Sequence, residues 1–182
     1  MDKFNNKYRI PSARLQSWDY GANGAYFITI CTQNREHFFG EIVETQFIAS
    51  EMGKLAEKYW LEIPNHFPYI ELGNFVVMPN HTHGILIIDK PDMATVTPPE
   101  TEINGGFAGN KNPMFHENIS RIIRWYKGRC SFEMRKTHTD FGWQSRFHDH
   151  IIRDTQSFET IQNYIANNPL NWNKDKFYKN NG

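Results

Sequence analysis

Hydrophobic residues cluster in four short segments that are rich in β-branched and aromatic side chains and bounded by turn-forming residues. Each segment predicts a β-strand, and together they cover residues 25–32, 70–78, 81–89 and 146–153. Only Pro79 and Asn80 separate the second segment from the third. Because proline and asparagine favour tight turns, these two strands are predicted to form a hairpin.

In three other segments, apolar residues recur every three or four positions, which is the spacing of one face of an α-helix. These predicted helices cover residues 50–67, 117–135 and 155–167. Ser50 is the expected N-cap of the first helix, and Asp154 or Thr155 that of the third. Pro64 and Pro169 are expected to end these two helices.

The predicted order of elements is β-α-β-β-α-β-α with short connections. It favours a mostly antiparallel sheet with helices packed on one face, an α+β sandwich of ferredoxin-like type. Residues 90–113 depart from this pattern, because they are rich in proline and glycine and poor in large apolar side chains. We expect them to form a long mobile surface loop within a single domain spanning residues 1–182.

Composition excludes several classes of protein. The chain has 182 residues, of which 39% are hydrophobic and 22% charged, so a disordered or fibrous protein is excluded. No apolar run approaches the roughly 18 residues of a membrane helix, and the N-terminal residues lack an apolar signal segment. The two cysteines are predicted to be reduced core thiols, so the sequence predicts a cytoplasmic protein without a membrane partner.

Charge is balanced overall but unevenly distributed. A formal net charge of zero disfavours a general nucleic-acid-binding protein. Residues 41–75, however, hold six Glu and two Lys, whereas residues 113–153 hold eight Lys or Arg and four Asp or Glu. The chain can therefore still present a basic surface, although an ordinary mixed surface explains the pattern equally well. The second predicted helix carries four basic residues: Arg121, Arg124, Lys127 and Arg129.

Two histidines at the start of a predicted strand are the sharpest chemical signal. Side chains at i and i+2 of a strand share a face, so His81 and His83 point into one space while Thr82 points away. Two neutral imidazoles form half of a divalent-metal site, and an exchangeable catalytic cation fits them better than structural zinc. His148 and His150 form a rival pair, and two solvated histidines are the common alternative for any such spacing.

A tyrosine on the third predicted helix is a candidate nucleophile. Tyr164 and Asn168 are four residues apart and share a helix face, where Asn168 offers a neutral oxygen ligand for a divalent ion. A tyrosine in an amphipathic helix is more often a packing residue. Tyr126, on the second predicted helix, is an equally good candidate from the sequence.

Three segments, in this order and at these separations, resemble the REP-associated tyrosine transposases, single-tyrosine members of the HUH endonuclease superfamily. They are VMPNHTHG at 77–84, WQSRFHDHIIR at 143–153 and YIANNP at 164–169, preceded by GAYFITICTQNR at 24–35. The resemblance covers roughly residues 9–173. It implies one HUH transposase-like domain with a ferredoxin-like or RRM-like sandwich.

Carried over by position, the resemblance implies that His81, His83 and Asn168 hold a divalent cation, Mg²⁺ or Mn²⁺, and that Tyr164 is the nucleophile. Thr82 departs from the bulky apolar residue of the family, which should matter little because it points away from the metal. Family members cut single-stranded DNA next to hairpins and rejoin it through a covalent 5′-phosphotyrosine. Some act as dimers and others as monomers, so a homodimer and a monomer both stay open.

Single-stranded or hairpin DNA is the expected partner, and several side chains are candidates to hold it. The basic candidates are Arg121, Arg124, Lys127, Arg129, Arg146 and Arg153, with Arg9 and Arg14 in an N-terminal arm. Trp18, Tyr20 and Trp143 could stack on bases, and His150 is an auxiliary base candidate. Two other functions stay open: a metal-dependent phosphoesterase that uses water, and a non-catalytic nucleic-acid-binding module. Only the tyrosine mechanism predicts a covalent protein–DNA adduct.

Overall fold

A computed structural model of the protein describes residues 18–91 and 117–178. Most of the predicted loop at 90–113 and the arm with Arg9 and Arg14 lie outside the described residues. The strands are β1 Gly24–Cys31, β2 Gly40–Val43, β3 Gln46–Ala49, β4 Ile70–Met78, β5 His81–Ile88 and β6 His148–Ile152. The helices are α1 Glu51–Leu61, α2 Ile63–His66, α3 Ile119–Met134 and α4 Thr155–Ala166, followed by a C-terminal 3-10 helix, Pro169–Lys174.

Four strands form the main sheet in the order β4-β5-β1-β6, and every neighbouring pair is antiparallel. Together with the helices between them, these strands give the β-α-β-β-α-β order of a ferredoxin-like fold. The predicted α+β class and the four predicted strands are therefore confirmed. The hairpin at Pro79 and Asn80 is also confirmed, since Met78 pairs with His81 across it.

Helices cover both faces of this sheet, so the expectation that they pack on one face is wrong. Tyr26, Ile28 and Ile30 of β1 pack beneath α1 and α3 in the larger core. The alternate residues Ala25 and Phe27 pack on the other side against α4, on what we call the α4 face. Because β1 is apolar on both sides, each side must be covered to be removed from water.

A glycine of β5 makes the close contact with α1 possible. A side chain at Gly84 would overlap the indole ring of Trp60, a residue that is fully buried. We expect Gly84→Ala to lower the free energy of unfolding by about 1–3 kcal/mol through overpacking. A Cβ added at Gly128 in α3 would meet no atom beyond its own helix within 4 Å, so Gly128→Ala should instead add about 0.5–1 kcal/mol. Urea unfolding of both variants checks this, and equal effects would contradict the packing of α1 on β5.

Two details of the helices differ from expectation. Pro64 does not end the first helix, which stops at Leu61; the proline lies in the first turn of the short α2, where its missing N–H costs nothing. The β2–β3 hairpin was not predicted, because its turn holds Glu44 in the left-handed region (φ 60°) and lacks the usual Asn-Gly signal. The N-caps Ser50 and Asp154 are confirmed, each accepting a backbone N–H of the first turn.

Both cysteines, Cys31 and Cys130, are free thiols and are buried. Burial raises the pKa of Cys31 to about 11, so this thiol is protonated at neutral pH. None of the helices in residues 18–91 and 117–178 is sufficiently long and apolar to cross a membrane.

Candidate active site

Three of the predicted side chains meet on the α4 face, at the end of the sheet where β5 begins. The rings of His81 and His83 lie 4.4 Å apart between centroids, and the Tyr164 hydroxyl lies 3.2 Å from Nε2 of His83. Phe27 stacks on His83 at 5.2 Å and meets Tyr164 edge-on at 6.0 Å. A single chain thus brings the candidate nucleophile to the paired imidazoles.

The orientation of His81 is fixed by Asn80. Nδ1 of His81 lies 2.8 Å from Oδ1 of Asn80, whose amide nitrogen donates to the carbonyl oxygens of Phe177 and Arg35. Since an amide oxygen can only accept, Nδ1 of His81 carries the proton and Nε2 presents its lone pair to the site. Contacts of this kind hold metal-binding histidines in place.

The orientation of His83 is fixed by Thr29 on the neighbouring strand. Nδ1 of His83 lies 2.8 Å from the Thr29 hydroxyl, and the two residues are direct partners in the β1–β5 ladder. Nε2 of His83 therefore faces Tyr164. Both imidazoles present Nε2 to the same space.

Asn168 and Asp175 close the other side of the site. Asn168 is 2% exposed, and its amide nitrogen donates to Oδ2 of Asp175 over 3.1 Å. The Tyr164 hydroxyl lies 3.3 Å from the same carboxylate oxygen, to which it donates. One oxygen of Asp175 thus positions both the candidate nucleophile and the amide that follows it by one helical turn.

The donor atoms of this cluster fit a divalent cation. Within the described part of the chain, Nε2 of His81 and Oδ1 of Asn168 are buried without a hydrogen-bond partner, which costs free energy unless a ligand binds them. Ligand atoms of His81, His83 and Asp175 lie within 4.8 Å of one another. Imidazole nitrogens combined with carboxylate and amide oxygens suit divalent ions.

Burial keeps both imidazoles neutral, which is the form that binds metals. Burial, with the cations Lys176 and Arg35 nearby, lowers the pKa of His81 to about 3. Burial also lowers the pKa of His83 well below its ordinary value, and His81 adds to the effect. Neither side chain has to lose a proton at neutral pH before it can bind a cation.

For Tyr164, in contrast to the histidines, the neutral form is the unreactive one, because a protonated phenol is a poor nucleophile. Burial, together with the Asp175 carboxylate, raises the pKa of the Tyr164 hydroxyl to about 12. The phenol is therefore protonated at neutral pH, and it needs a nearby positive charge to react.

The segment after the 3-10 helix lies over the imidazoles. The Phe177 ring is 4.7 Å from the ring of His81 and 5.7 Å from that of His83. The Arg35 guanidinium lies 5.2 Å from the centre of the Phe177 ring and donates to the carbonyl oxygen of Lys176 over 3.2 Å. These contacts hold the C-terminal segment, and with it Asp175, against the site.

Asp175 is the site residue that sequence reasoning misses. It is the only acidic residue after Glu159, and this isolation is the one signal the sequence offers. Pro169 does follow the end of α4, but it also begins the 3-10 helix that brings Asp175 back towards α4. A short 3-10 helix has no apolar period that would reveal it.

Most of the predicted DNA-binding cations lie away from this site. Arg121, Arg124 and Arg129 are exposed on α3, which covers the opposite face of the sheet. Lys127 is half-buried and donates to the carbonyl oxygen of Gln144 over 2.6 Å. The structure therefore separates the basic face of α3 from Tyr164 by the whole sheet.

The candidates on and beside β6 lie at different distances from the site. His148, at the start of β6, pairs with Thr29, which also pairs with His83 of the site. Arg146 lies two residues before His148 and is therefore at the same end of the sheet as the site. Arg153 follows the other end of β6, roughly 16 Å beyond His148 along the strand. His150 lies on the α4 face but pairs with Phe27, and the described contacts of the Tyr164 hydroxyl are with His83 and Asp175.

The remaining aromatic candidates have packing roles. Trp18 donates to the hydroxyl of Tyr26, and Tyr20 packs on the same ring, at the end of β1 far from the site. Trp143 packs within the larger core and donates to a carbonyl oxygen of α3. Tyr126, the alternative nucleophile, is fully buried and donates to the carbonyl oxygen of Ala56, so it has no access to a substrate.

Comparison with known proteins identifies one relative by sequence and a solved structure with a similar fold. No protein-family model matches the chain. An uncharacterized protein of Haemophilus influenzae is 35% identical over 168 residues, which are 92% of each chain. The solved structure of a REP-associated tyrosine transposase bound to a REP hairpin is similar with a TM-score of 0.59 and 18% identity, covering 91% of this chain and 77% of that one. The resemblance drawn from the sequence is thereby confirmed at the level of the fold.

Proposed function

We propose that this chain, which belongs to one family with the Haemophilus influenzae protein and has the fold of a REP-associated tyrosine transposase, cuts and rejoins single-stranded DNA through Tyr164. The proposal depends on one observation: the Tyr164 hydroxyl lies 3.2 Å from Nε2 of His83, and the ring of His81 lies beside that of His83. The solved neighbour is bound to a REP hairpin, which supports hairpin DNA as the substrate of this chain.

The reaction is a transfer of one phosphodiester bond. The Tyr164 hydroxyl releases its proton to water and its oxygen bonds to phosphorus. The bond from phosphorus to the 3′ oxygen breaks, and that oxygen leaves as a hydroxyl after taking up a proton from water. The DNA is then held as a 5′-phosphotyrosine, so the bond energy is conserved. Attack by another 3′-hydroxyl reverses the step and joins two strands without a nucleotide cofactor.

His81, His83, Asn168 and Asp175 would hold the divalent cation, Mg²⁺ or Mn²⁺. When bound, it would supply positive charge to the scissile phosphate and to the attacking oxygen. The protein's part is to fix the ligands: Asn80 and Thr29 aim the two imidazoles. Asp175 adds a fourth candidate to the three that the sequence resemblance implies, and it also holds the Tyr164 hydroxyl in place.

DNA has two basic surfaces available. Arg146 stands beside the site, where a single strand would enter. The exposed arginines of α3, with Lys127 beside them, would hold a more distant part of the DNA through its phosphates. Arg153, at the far end of β6, would contribute in the same sequence-independent way. The described residues of one chain supply Tyr164, both imidazoles and Asp175, which supports cleavage within a single copy.

Incubation of the protein with a single-stranded hairpin substrate tests this function. With Mg²⁺ or Mn²⁺ we expect cut strands and a denaturant-resistant protein–DNA species, and with a chelator neither. Cut strands without that species would support a phosphoesterase that uses water. Hairpin binding that is insensitive to chelator, with no cutting under any condition, would support a non-catalytic binding module.

Removing the Asp175 carboxylate should weaken metal binding. Asp175→Asn keeps the size of the side chain but loses the charge, and we expect the affinity for Mn²⁺ to fall by about 10–100-fold. Calorimetric titration with Mn²⁺ measures this directly. Asp140→Asn, an exposed carboxylate outside the site, is the matched control and should leave the affinity unchanged. Equal affinities for the two variants would place Asp175 outside the metal shell.

A further inference from the structure

A groove of about 270 Å³ opens beside the candidate site, between β1, the start of β6 and the C-terminal segment. Its lining includes Arg35, Arg146 and His148, with the rings of Phe147 and Phe177, and none of its lining residues is acidic. We call it the β6 groove. Its volume lies just below the ~300–1,000 Å³ of small-ligand pockets, so it has room for one nucleotide and not for a duplex.

The β6 groove shares two residues with the surroundings of the imidazoles. Thr29 lines the groove and forms the 2.8 Å contact with Nδ1 of His83. Phe177 lines the groove and packs against both imidazoles. A strand that passes through the groove would therefore run directly beside the imidazoles.

The cations of the groove are not neutralised by the protein. In residues 18–91 and 117–178, neither Arg35 nor Arg146 forms an ion pair with a carboxylate. Arg35 is also held in the left-handed region at φ 58°, directly after Asn34 at φ 54°. Consecutive residues of this kind are strained, and such strain is concentrated at functional sites.

We infer that the β6 groove binds the unpaired nucleotide next to the scissile phosphate, with its phosphate against Arg35 and Arg146 and its base against the partly exposed ring of Phe147. Guanidinium groups bind phosphates with paired donors, and aromatic rings stack on bases without regard to sequence. This inference rests on the proposed function, and it specifies the path that the single strand takes to the candidate site. Arg121, Arg124 and Arg129 lie on the other side of the sheet and cannot hold that nucleotide.

Binding measured in chelator tests the groove apart from catalysis. The probes are a DNA hairpin with six unpaired thymidines at each end and the same hairpin with blunt ends. The variant Arg35→Ala/Arg146→Ala is compared with Lys54→Ala/Lys58→Ala, which removes two positive charges from α1. Arg146→Gln alone, on an exposed segment, repeats the test if the double variant does not fold as judged by thermal melting.

For the tailed hairpin, we expect the double arginine variant to lose about tenfold in affinity, and the lysine variant no more than about twofold. The slope of log affinity against log salt should fall by about 0.7 for each lost phosphate contact. The blunt hairpin should bind equally to both variants. Unchanged binding of the tailed hairpin, or an equal loss for both probes, overturns the inference alone. If the wild-type protein binds neither hairpin, the proposed function fails as well.

Discussion

Replacing Tyr164 by phenylalanine should abolish strand cutting while leaving DNA binding within a few-fold of the wild type. The substitution removes the oxygen that we propose bonds to phosphorus, and loss of a nucleophile typically costs at least a thousandfold in rate. The ring that packs edge-on against Phe27 stays in place. Only the hydrogen bonds of one half-exposed hydroxyl are lost, so stability should change by no more than about 1 kcal/mol.

Tyr178→Phe is the matched control for this variant. Tyr178 is 42% exposed and Tyr164 is 41% exposed, and both lie in the C-terminal third of the chain, but only Tyr164 contacts an imidazole of the site. Gel assays with a labelled hairpin should show full cutting by Tyr178→Phe and none by Tyr164→Phe. Cutting by Tyr164→Phe at more than about one per cent of the wild-type rate would remove the tyrosine from the mechanism.

Replacing His81 or His83 by alanine should remove both metal binding and cutting, while the protein still folds. Each change deletes a proposed metal ligand, so the affinity for Mn²⁺ should fall by about a hundredfold or more. His81 is fully buried, and its loss leaves a cavity. The same change removes Nε2, a buried acceptor without a partner, but leaves Oδ1 of the buried Asn80 without its donor. We therefore expect a net loss of stability of about 2–4 kcal/mol.

His148→Ala and His150→Ala are the controls for these variants, since this pair has the same spacing on the same face of the sheet. We expect both controls to bind Mn²⁺ within about twofold of the wild type. Calorimetric titration and thermal melting together separate loss of the metal from loss of the fold. Collapse of the fold in His81→Ala and His83→Ala would mean that this pair is structural.

The regular elements could be predicted from the sequence because their signals are local. Val76, Val77 and Met78 before a proline and Ile85 to Ile88 after the histidines indicate strands by composition alone. The assignment of helices to faces depends on tertiary packing. To predict that helices cover both faces, one would have had to recognise that Phe27 and Ile85 belong to a second core beneath α4, separate from the larger one.

The site was predictable in part for the same reason. The i, i+2 spacing of His81 and His83 sets their common face, but nothing local distinguishes this pair from His148 and His150. Packing makes the distinction, because α4 lies over β4 and β5 and places Tyr164 beside His83. Asp175 reaches the site through a 3-10 helix that has no periodic signal, so only the fold reveals it.

The most direct test of this account is peptide-level mass spectrometry of the wild-type protein after reaction with hairpin DNA and Mn²⁺. We expect one modified peptide, carrying a 5′-linked nucleotide on the Tyr164 oxygen, and its disappearance when a chelator is present. A nucleotide bound to any other side chain, or strands cut with every peptide unmodified, would contradict the account.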